Sequence, residues 1–268
     1  MRLALLTIYY NSKPELLRLM TSIQPRMIDK WIFIDGIFKY VKEANPNLPS
    51  LSDDLSTELI RNSGYNYHIE QMPEATEYEK RNRYLELCQH FNIDYAIIVD
   101  TDEYFDYNQD CTCKNKKKEA FDKFKNEFYS KAVKYAGRQN VFNIDMIEPG
   151  GHIQPRPRCW YNPGQMRYLF NSHYHYANVE LDAGIIETRT KEGRTYLQPS
   201  ADTIKKGDIK LVNDPITLRT PEQLERRKKY QQYLVKYEGL VQTMVNNPDT
   251  AKAHRMAAQY PQTDFNPL

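Results

Sequence analysis

Two carboxylates stand two residues apart in Asp100-Thr101-Asp102-Glu103, directly after the apolar run Tyr95 to Val99. That run has the length and composition of a buried strand, so Asp100 and Asp102 follow its end and can project to the same side. Carboxylate oxygens suit Mg²⁺ or Mn²⁺, which keeps part of its coordination shell for water and substrate phosphate oxygens. The spacing therefore predicts a divalent-cation site that faces a phosphorylated ligand.

An Asp-x-Asp spacing is common by chance, so its surroundings decide its meaning. An EF-hand loop starting at Asp100 is excluded, because Tyr104 and Phe105 occupy positions that need an oxygen ligand and a glycine. A phosphatase-like nucleophile would follow the first strand of its domain, whereas several elements precede this motif. A solvated turn without a ligand is the plain alternative to a metal site.

The first hundred residues alternate between strand-like and helix-like segments. The strand-like runs are Leu3 to Tyr9, Trp31 to Asp35, Tyr67 to Glu70 and Tyr95 to Val99. The alternation predicts an α/β fold with a mostly parallel central sheet flanked by helices. Such sheets bind ligands at the carboxyl ends of their strands, where Asp35 and Asp100 stand.

Four segments resemble the GT-A glycosyltransferases, in particular the large family of inverting, nucleotide-sugar-dependent enzymes with a single, Rossmann-like GT-A domain. They are LALLTIYYNSKPELL, WIFIDG, EKRNRYLELC in a helix that begins at Thr76, and YAIIVDTDEYFD. The resemblance covers about residues 1–107 and thins beyond them. It implies a GT-A domain over 1–215, with a nucleotide-sugar-binding half (1–107) and an irregular acceptor half (108–215), and then a C-terminal helical extension (216–268).

The resemblance also implies roles for individual residues. The positions implied to contact the nucleotide-sugar are Thr7, Tyr9, Asn11, Asp35, Lys80, Arg81, Asp100 and Thr101. Asp100 and Asp102 would hold the cation, Mn²⁺ or Mg²⁺, and a downstream histidine, His173 or His175, would be a third ligand. The plainer roles are a turn cap for Asp35, a surface position for Arg81, and hydrogen-bonded core positions for the histidines.

Inversion requires a carboxylate that deprotonates the acceptor hydroxyl as it attacks the anomeric carbon. Asp145, Glu148, Glu180 and Asp182 are within range by sequence, and Asp182 and Glu148 are the candidates for this catalytic base. A retaining enzyme would have no conventional base, so the sequence leaves both stereochemical outcomes open.

Composition limits the class of partner and the compartment. The net charge of +2 gives no global field that would draw the chain to nucleic acid or anionic lipid, and the basic runs Lys114 to Lys118 and Arg226 to Lys229 are local. Four cysteines without zinc-site spacing are interpreted as free thiols of a reducing compartment. With no signal-peptide pattern and no apolar run of membrane-spanning length, we expect a cytoplasmic protein without a transmembrane segment.

The sequence therefore favours a metal-dependent glycosyltransferase that uses a UDP- or GDP-sugar and a hydroxyl acceptor on a glycan, a lipid-linked sugar or a protein. A nucleic-acid acceptor is a minority hypothesis, supported by the basic runs and the 21 tyrosines. A nucleotidyltransferase using a sugar phosphate is a second candidate class, and a non-catalytic module that binds a nucleotide-sugar or nucleic acid is a third. A nucleotidyltransferase would need a glycine-rich basic loop after the first strand, where this chain has Tyr9 to Lys13.

Overall fold

The computed structural model describes residues 1–107, 113–135, 141–168, 186–190, 193–197 and 202–214, together with residues 221 and 225. The predicted C-terminal extension (216–268) lies outside the described residues except at positions 221 and 225. The predicted site residues His173, His175 and Asp182 also lie outside them. Within the described part of the chain, no helix is both long enough and apolar enough to cross a membrane.

The first 107 residues form five strands and four helices. In chain order they are β1 (Leu3–Tyr9), α1 (Lys13–Ser22), β2 (Lys30–Asp35), α2 (Lys39–Ala44), α3 (Ser56–Arg61), β3 (Tyr67–Gln71), α4 (Glu77–His90), β4 (Tyr95–Ile98) and β5 (Glu103–Tyr107). A proline in the first turn of α1 helps its start, because the first N–H groups of a helix have no partner within it. These elements agree with the strand–helix alternation of the sequence.

The remaining described residues add one long helix and seven strands. They are α5 (Lys114–Lys134), β6 (Val141–Ile147), β7 (Ile153–Tyr161), β8 (Met166–Tyr168), β9 (Ile186–Thr190), β10 (Gly193–Leu197), β11 (Thr203–Ile204) and β12 (Ile209–Asn213). Short 3₁₀ turns cover Pro25–Met27 and Pro163–Gln165.

One sheet of nine strands organises the protein, in the order β3-β2-β1-β4-β7-β6-β12-β5 with β11 beside β6. The strands β3, β2, β1 and β4 are parallel to one another. The strand β7 is antiparallel to both β4 and β6, and β5 is antiparallel to β12. The predicted α/β architecture with a mostly parallel central sheet flanked by helices is confirmed. A second, antiparallel sheet has the order β10-β9-β8.

The core has one layer on each face of this sheet. Along β1, Leu3 and Leu5 pack in one apolar cluster with residues of α1 and α5, whereas Ala4 and Leu6 pack in the other with residues of α4. Every residue of β1 is buried. Continuous burial of this kind is expected of a parallel strand covered by helices on both faces. The carboxyl edge of the sheet is then where functional side chains can reach a ligand.

The hairpin of β6 and β7 is more regular than the prolines in this region suggest. Pro155 and Pro157 lie inside β7 and pair with residues of β6. Only Tyr95 to Ile97 of β4 pair with β7, and they reach no further than Cys159. Among the described strands, the segment that contains the prolines therefore has a neighbour on one side, and residues without an N–H are tolerated at such an edge.

Candidate functional site

The connection between β4 and β5 is a tight turn that contains the predicted carboxylate motif. The Glu103 backbone N–H donates to the Asp100 carbonyl oxygen at 3.0 Å. In return, the Glu103 carboxylate accepts from the Asp100 backbone N–H at 3.0 Å. These bonds fix residues 100–103 at the carboxyl end of β4, where Asp100, Thr101 and Asp102 are partly buried.

Asp100 lies between two arginines that come from different elements. Its Oδ1 accepts from Nη2 of Arg81, on α4, at 3.4 Å. Its Oδ2 accepts from Nη2 of Arg158, on β7, at 3.2 Å. The side chain of Asp100 is still 28% exposed, so this charge cluster reaches the surface at the carboxyl edge of the sheet.

Glu103 forms the buried end of the same cluster. Its side chain is 2% exposed, and Oε1 accepts a hydrogen bond from Nη2 of Arg158. Burial raises the pKa of the Glu103 carboxyl above its ordinary value, and the Arg158 guanidinium opposes this shift. Removing one partner of such a pair would leave an uncompensated charge in the interior. Glu103 and Arg158 therefore fix each other's position.

A β-bulge places Arg158 in this cluster. Cys159 pairs with Phe142 and Pro157 with Asn143, so Arg158 is the extra residue of β7. Bulges bend a strand and change the direction of a side chain, and they are frequent beside functional sites. The bulged residue of this hairpin is the one whose guanidinium contacts both Asp100 and Glu103.

Arg81 is held in place by its own helix. Its Nε donates to Glu77 at 2.6 Å and its Nη1 donates to the Tyr84 hydroxyl at 2.9 Å. The helix begins with a capping box in which Thr76 and Glu79 exchange hydrogen bonds. With only 7% of its side chain exposed, Arg81 is a rigid support for Asp100 and not a surface arginine.

Lys80, a predicted contact of the nucleotide-sugar, lies in the interior. It is fully buried, and its Nζ donates to the carbonyl oxygens of Gly36 and Ile37, the latter at 3.2 Å. The Phe38 ring centroid lies 4.7 Å from the same nitrogen. Burial lowers the pKa of Lys80 to about 7. The residue joins α4 to the end of β2 and presents no surface to a ligand.

The segment 49–56 lies over the carboxyl ends of β1 and β2. Oδ1 of Asp35 accepts from the Ser52 hydroxyl at 2.6 Å and from the Ser52 N–H at 3.2 Å. Asn11 donates to Oδ1 of Asp53 at 2.8 Å and accepts from the Asp53 N–H at 2.9 Å. Burial raises the pKa of Asp35, while the bonds from Ser52 lower it. Asp35 thus caps the turn at Ser52, and Asn11 anchors the same segment.

Thr7 and Tyr9 do not line an open pocket. Thr7 is fully buried and its hydroxyl accepts from Nε1 of Trp31 at 3.0 Å. Tyr9 is 1% exposed and its hydroxyl shares a hydrogen bond of 2.8 Å with Thr57. Both side chains support the end of β1 from inside the core. Their contact with a nucleotide stays a prediction from the resemblance.

Glu148, one of the two candidates for the base, closes the tip of the β6–β7 hairpin. Its carboxylate accepts from Gln154 at 3.0 Å, from Arg156 at 2.9 Å and from Asn213 at 2.8 Å. Burial tends to raise the pKa of Glu148, but these hydrogen bonds outweigh it and hold the pKa below its usual range. A carboxylate stabilised in this way is a weak proton acceptor.

Asp100 and Asp102 supply the hard oxygen donors that Mg²⁺ and Mn²⁺ prefer. Asp102 is partly buried in the turn, and its carbonyl oxygen accepts from the Asp214 N–H at 2.9 Å. Across the described ranges, no group of three or more His, Cys, Asp or Glu is placed to hold a metal ion. The two aspartates fit a cation that completes its shell with water and substrate phosphate, as Mg²⁺ commonly does.

Sequence reasoning missed two members of this cluster, Arg158 and Glu103. Glu103 stands inside the carboxylate motif, but nothing in its spacing distinguishes a buried anchor from a solvated residue. Arg158 belongs to the run RPRCW, about 55 residues beyond the motif, and the hydrogen bonds that join the two are made across the sheet. The alternation of arginine and proline there is the available signal, but by itself it favours a break between strand fragments.

The chain has limited similarity to known proteins. No protein-family model matches it, and no curated protein matches it. The solved structures that it resembles include three of S. aureus TarS. TarS 1-349 is 17% identical with a TM-score of 0.37 and covers 58% of this chain, which spans 39% of that protein. A second TarS structure is 16% identical with a TM-score of 0.38, covering 60% of this chain and 28% of TarS.

The third structure is TarS 1-349 in complex with UDP. It is 13% identical, has a TM-score of 0.42, and covers 97% of this chain and 71% of the TarS fragment. At such low identities and TM-scores, these similarities say nothing by themselves about the ligand or the reaction of this chain.

Proposed function

We propose that this chain is a glycosyltransferase that moves a sugar from a UDP- or GDP-sugar to a hydroxyl acceptor, assisted by a divalent cation. The observation that carries the proposal is the turn at the carboxyl end of β4, which contains Asp100 and Asp102 and in which Asp100 accepts hydrogen bonds from the guanidinium groups of Arg81 and Arg158. Carboxylates for a cation and arginines for phosphate oxygens together suit a nucleoside diphosphate. The resemblance of residues 1–107 to GT-A enzymes is the reason for proposing that the transferred group is a sugar.

Each side chain of the cluster has a separate part in this proposal. Asp102 and Asp100 would hold the cation, which when bound supplies positive charge to a departing diphosphate. Arg81 keeps Asp100 in position through its own bonds to Glu77 and Tyr84. Asp182 and Glu148 stay the candidates, predicted from the sequence, for the base of an inverting reaction. The acceptor class and the cytoplasmic location stay predictions from the sequence.

Ligand binding gives the first test. The melting temperature of the protein is measured with UDP-, GDP- and CDP-sugars, each with and without Mn²⁺. We expect at least one of them to raise the melting temperature, and Mn²⁺ to increase the effect, because ligands that bind only the folded state stabilise it by mass action. If none of them stabilises the protein in a Mn²⁺-dependent way, the proposal is wrong.

Asp102→Ala tests the cation site directly, with Asp106→Ala as a matched control on the exposed part of β5. We expect Asp102→Ala to lose Mn²⁺-dependent donor hydrolysis or transfer by about 100-fold or more, since electrostatic stabilisation of a leaving group is worth several kcal/mol. The control should keep its activity, and both should keep the unfolding curve of the wild type. Full activity in Asp102→Ala would show that this carboxylate is not a metal ligand.

A further inference from the structure

Arg158 joins two carboxylates of the turn that contains the motif. Its Nη2 lies 3.2 Å from Oδ2 of Asp100 and also donates to Oε1 of Glu103. The two carboxylates differ in exposure, because the side chain of Glu103 is 2% exposed and that of Asp100 is 28% exposed. Arg158 therefore has one partner inside the protein and one at the surface of the site.

The inner partner fixes the arginine. The second oxygen of Glu103 accepts from the Asp100 backbone N–H at 3.0 Å, so the carboxylate that holds Arg158 is tied to the main chain of the turn. The bulge in β7 fixes the arginine from its backbone side. A guanidinium held at both ends loses little further conformational entropy when it binds an anion.

The outer partner, Asp100, is the contact of Arg158 that a bound ligand would replace. Asp100 has guanidinium groups near both of its oxygens, and a cation bound to the same carboxylate would be repelled by them. An anion that arrives with the cation removes this conflict, because its oxygens can replace Asp100 as the partner of an arginine. Arg81 is the more restrained of the two, with its Nε and Nη1 bonded within α4 and 7% of its side chain exposed.

We propose that Arg158 binds the diphosphate of the donor, exchanging its contact with Asp100 for phosphate oxygens while Glu103 keeps it in place. The inference rests on the proposed function and adds a binding residue from outside the segment that resembles GT-A enzymes. It assigns Arg158 to the ligand, Glu103 to positioning Arg158, and Arg81 to positioning Asp100. Arginine suits this part because its planar fork matches phosphate geometry and never loses its charge.

The test compares ligands that differ in phosphate number. Dissociation constants of wild type, Arg158→Lys and Arg158→Met are measured by calorimetry for the preferred nucleoside diphosphate and for the matching nucleoside, with Mn²⁺ present. We expect Arg158→Met to weaken diphosphate binding by about 10- to 100-fold, the range of a charge-assisted hydrogen bond, and to leave nucleoside binding within about twofold. The diphosphate affinity of Arg158→Lys should lie between that of wild type and that of Arg158→Met.

Two further variants separate ligand binding from stability. Arg158→Met leaves Glu103 buried without its cation, so the double variant Glu103→Gln/Arg158→Met removes both charges and should fold when the single variant does not. It should show the same selective loss of diphosphate affinity. Arg83→Met is the matched control, because Arg83 pairs with Glu70 and Glu86 on β3 and α4, away from the turn.

The outcomes distinguish the inference from the function on which it rests. If wild type binds no nucleoside diphosphate, with or without Mn²⁺, the proposed function fails and the inference with it. If wild type binds and the folded double variant binds equally well, only the role of Arg158 is wrong. Equal losses for diphosphate and nucleoside would assign Arg158 to structural support of the site, which also overturns the inference.

Discussion

At the scale of single residues, Lys80 shows how far burial changes a side chain's chemistry. Its ammonium group is fully buried and bonded to two backbone carbonyl oxygens at the end of β2. Desolvation lowers its pKa from 10.5 to about 7, although the nearby carboxylates of Asp35, Glu77 and Glu79 favour the charged form. Protonated Lys80 therefore costs the folded state free energy that neutral Lys80 does not.

This shift predicts how stability depends on pH. Between pH 7 and 10.5 the unfolded chain holds a proton on Lys80 that the folded chain has released. The free energy of unfolding therefore rises with pH in this window, by up to about 1.4 kcal/mol per pH unit from this group. In Lys80→Met this contribution is absent. The unfolding free energy of wild type minus that of the variant should therefore increase from about pH 7.5 to about pH 9.5.

Urea unfolding at several pH values measures this difference. Lys116→Met, on the exposed side of α5, is the control and should differ from wild type by a constant amount. A constant difference for Lys80→Met as well would mean that Lys80 has the same proton affinity in the folded and unfolded chains.

Residue roles are harder to predict than residue positions. The sequence correctly places Asp35 and Asp100 at strand ends, because an apolar run that stops at a polar residue is a local signal. Whether a side chain at a strand end faces a ligand or the core is not visible for Thr7 and Tyr9. Both faces of β1 are buried, so the alternation of side chains carries no information about which side is open.

At the scale of elements, α4 is the helix that positions Arg81 beside Asp100 in the turn between β4 and β5. It begins at Glu77 after the N-cap Thr76, whose side chain accepts from the Glu79 N–H at 3.2 Å. Glu79 in turn accepts from the Thr76 N–H at 2.7 Å. The spacing of Thr76 and Glu79 predicts this capping box, and the structure confirms it.

Loss of the N-cap hydroxyl of α4 should lower the free energy of unfolding. We expect Thr76→Ala to reduce the free energy of unfolding by about 1 kcal/mol, the usual cost of removing an N-cap hydroxyl, because the Glu79 N–H loses its acceptor. Thr76→Ser keeps the hydroxyl and should stay close to wild type. Chemical denaturation of the three proteins measures both effects, and equal stability of the alanine and serine variants would contradict the role of the cap.

The second half of the chain shows what local patterns could not reveal. Pro155 and Pro157 predict breaks, yet they lie within one strand of nine residues. Their tolerance depends on which strands flank β7, and that is set by contacts with β4 and β6 across the sheet. For the same reason Arg158 cannot be joined to the Asp100 turn without knowledge of the strand order.

At the scale of the whole molecule, the described residues have a concentration of lysines on α5. The helix α5 has eight lysines and three acidic residues, in a chain whose net charge is +2. Tyr129 of this helix contacts Tyr95, the first residue of β4, with ring centroids 4.1 Å apart, and Phe121 contacts Phe105 of β5, with ring centroids 5.8 Å apart. The candidate site lies at the carboxyl end of β4.

We predict that the exposed lysines of α5 do not contribute to nucleotide binding. The triple variant Lys114→Gln, Lys116→Gln and Lys123→Gln changes three exposed positions. We expect its affinity for a nucleoside diphosphate to stay within about twofold of wild type at about 0.15 M salt, because exposed charges more than a Debye length of about 8 Å apart are screened. A tenfold loss in calorimetry would show that α5 acts on the site.

The same variant also tests the hypothesis of a nucleic-acid acceptor. Electrophoretic mobility shifts with single-stranded RNA are compared at two salt concentrations for wild type and triple variant. If α5 bound a phosphate backbone, removing three lysines would weaken binding and flatten its salt dependence. Equal behaviour of both proteins would leave this helix as an ordinary solvated surface.

The bulge at Arg158 divides the β6–β7 hairpin into two parts that can vary separately. From Cys159 onward β7 is fixed between β4 and β6, whereas from Ile153 to Pro157 the described strand that pairs with it is β6. Adding or removing a pair of residues at the Gly150-Gly151 turn, beyond Glu148 and its bond to Asn213, would lengthen or shorten the tip and keep the register at Arg158. The hairpin could thus be altered in length at its tip without disturbing the arginine on the donor side.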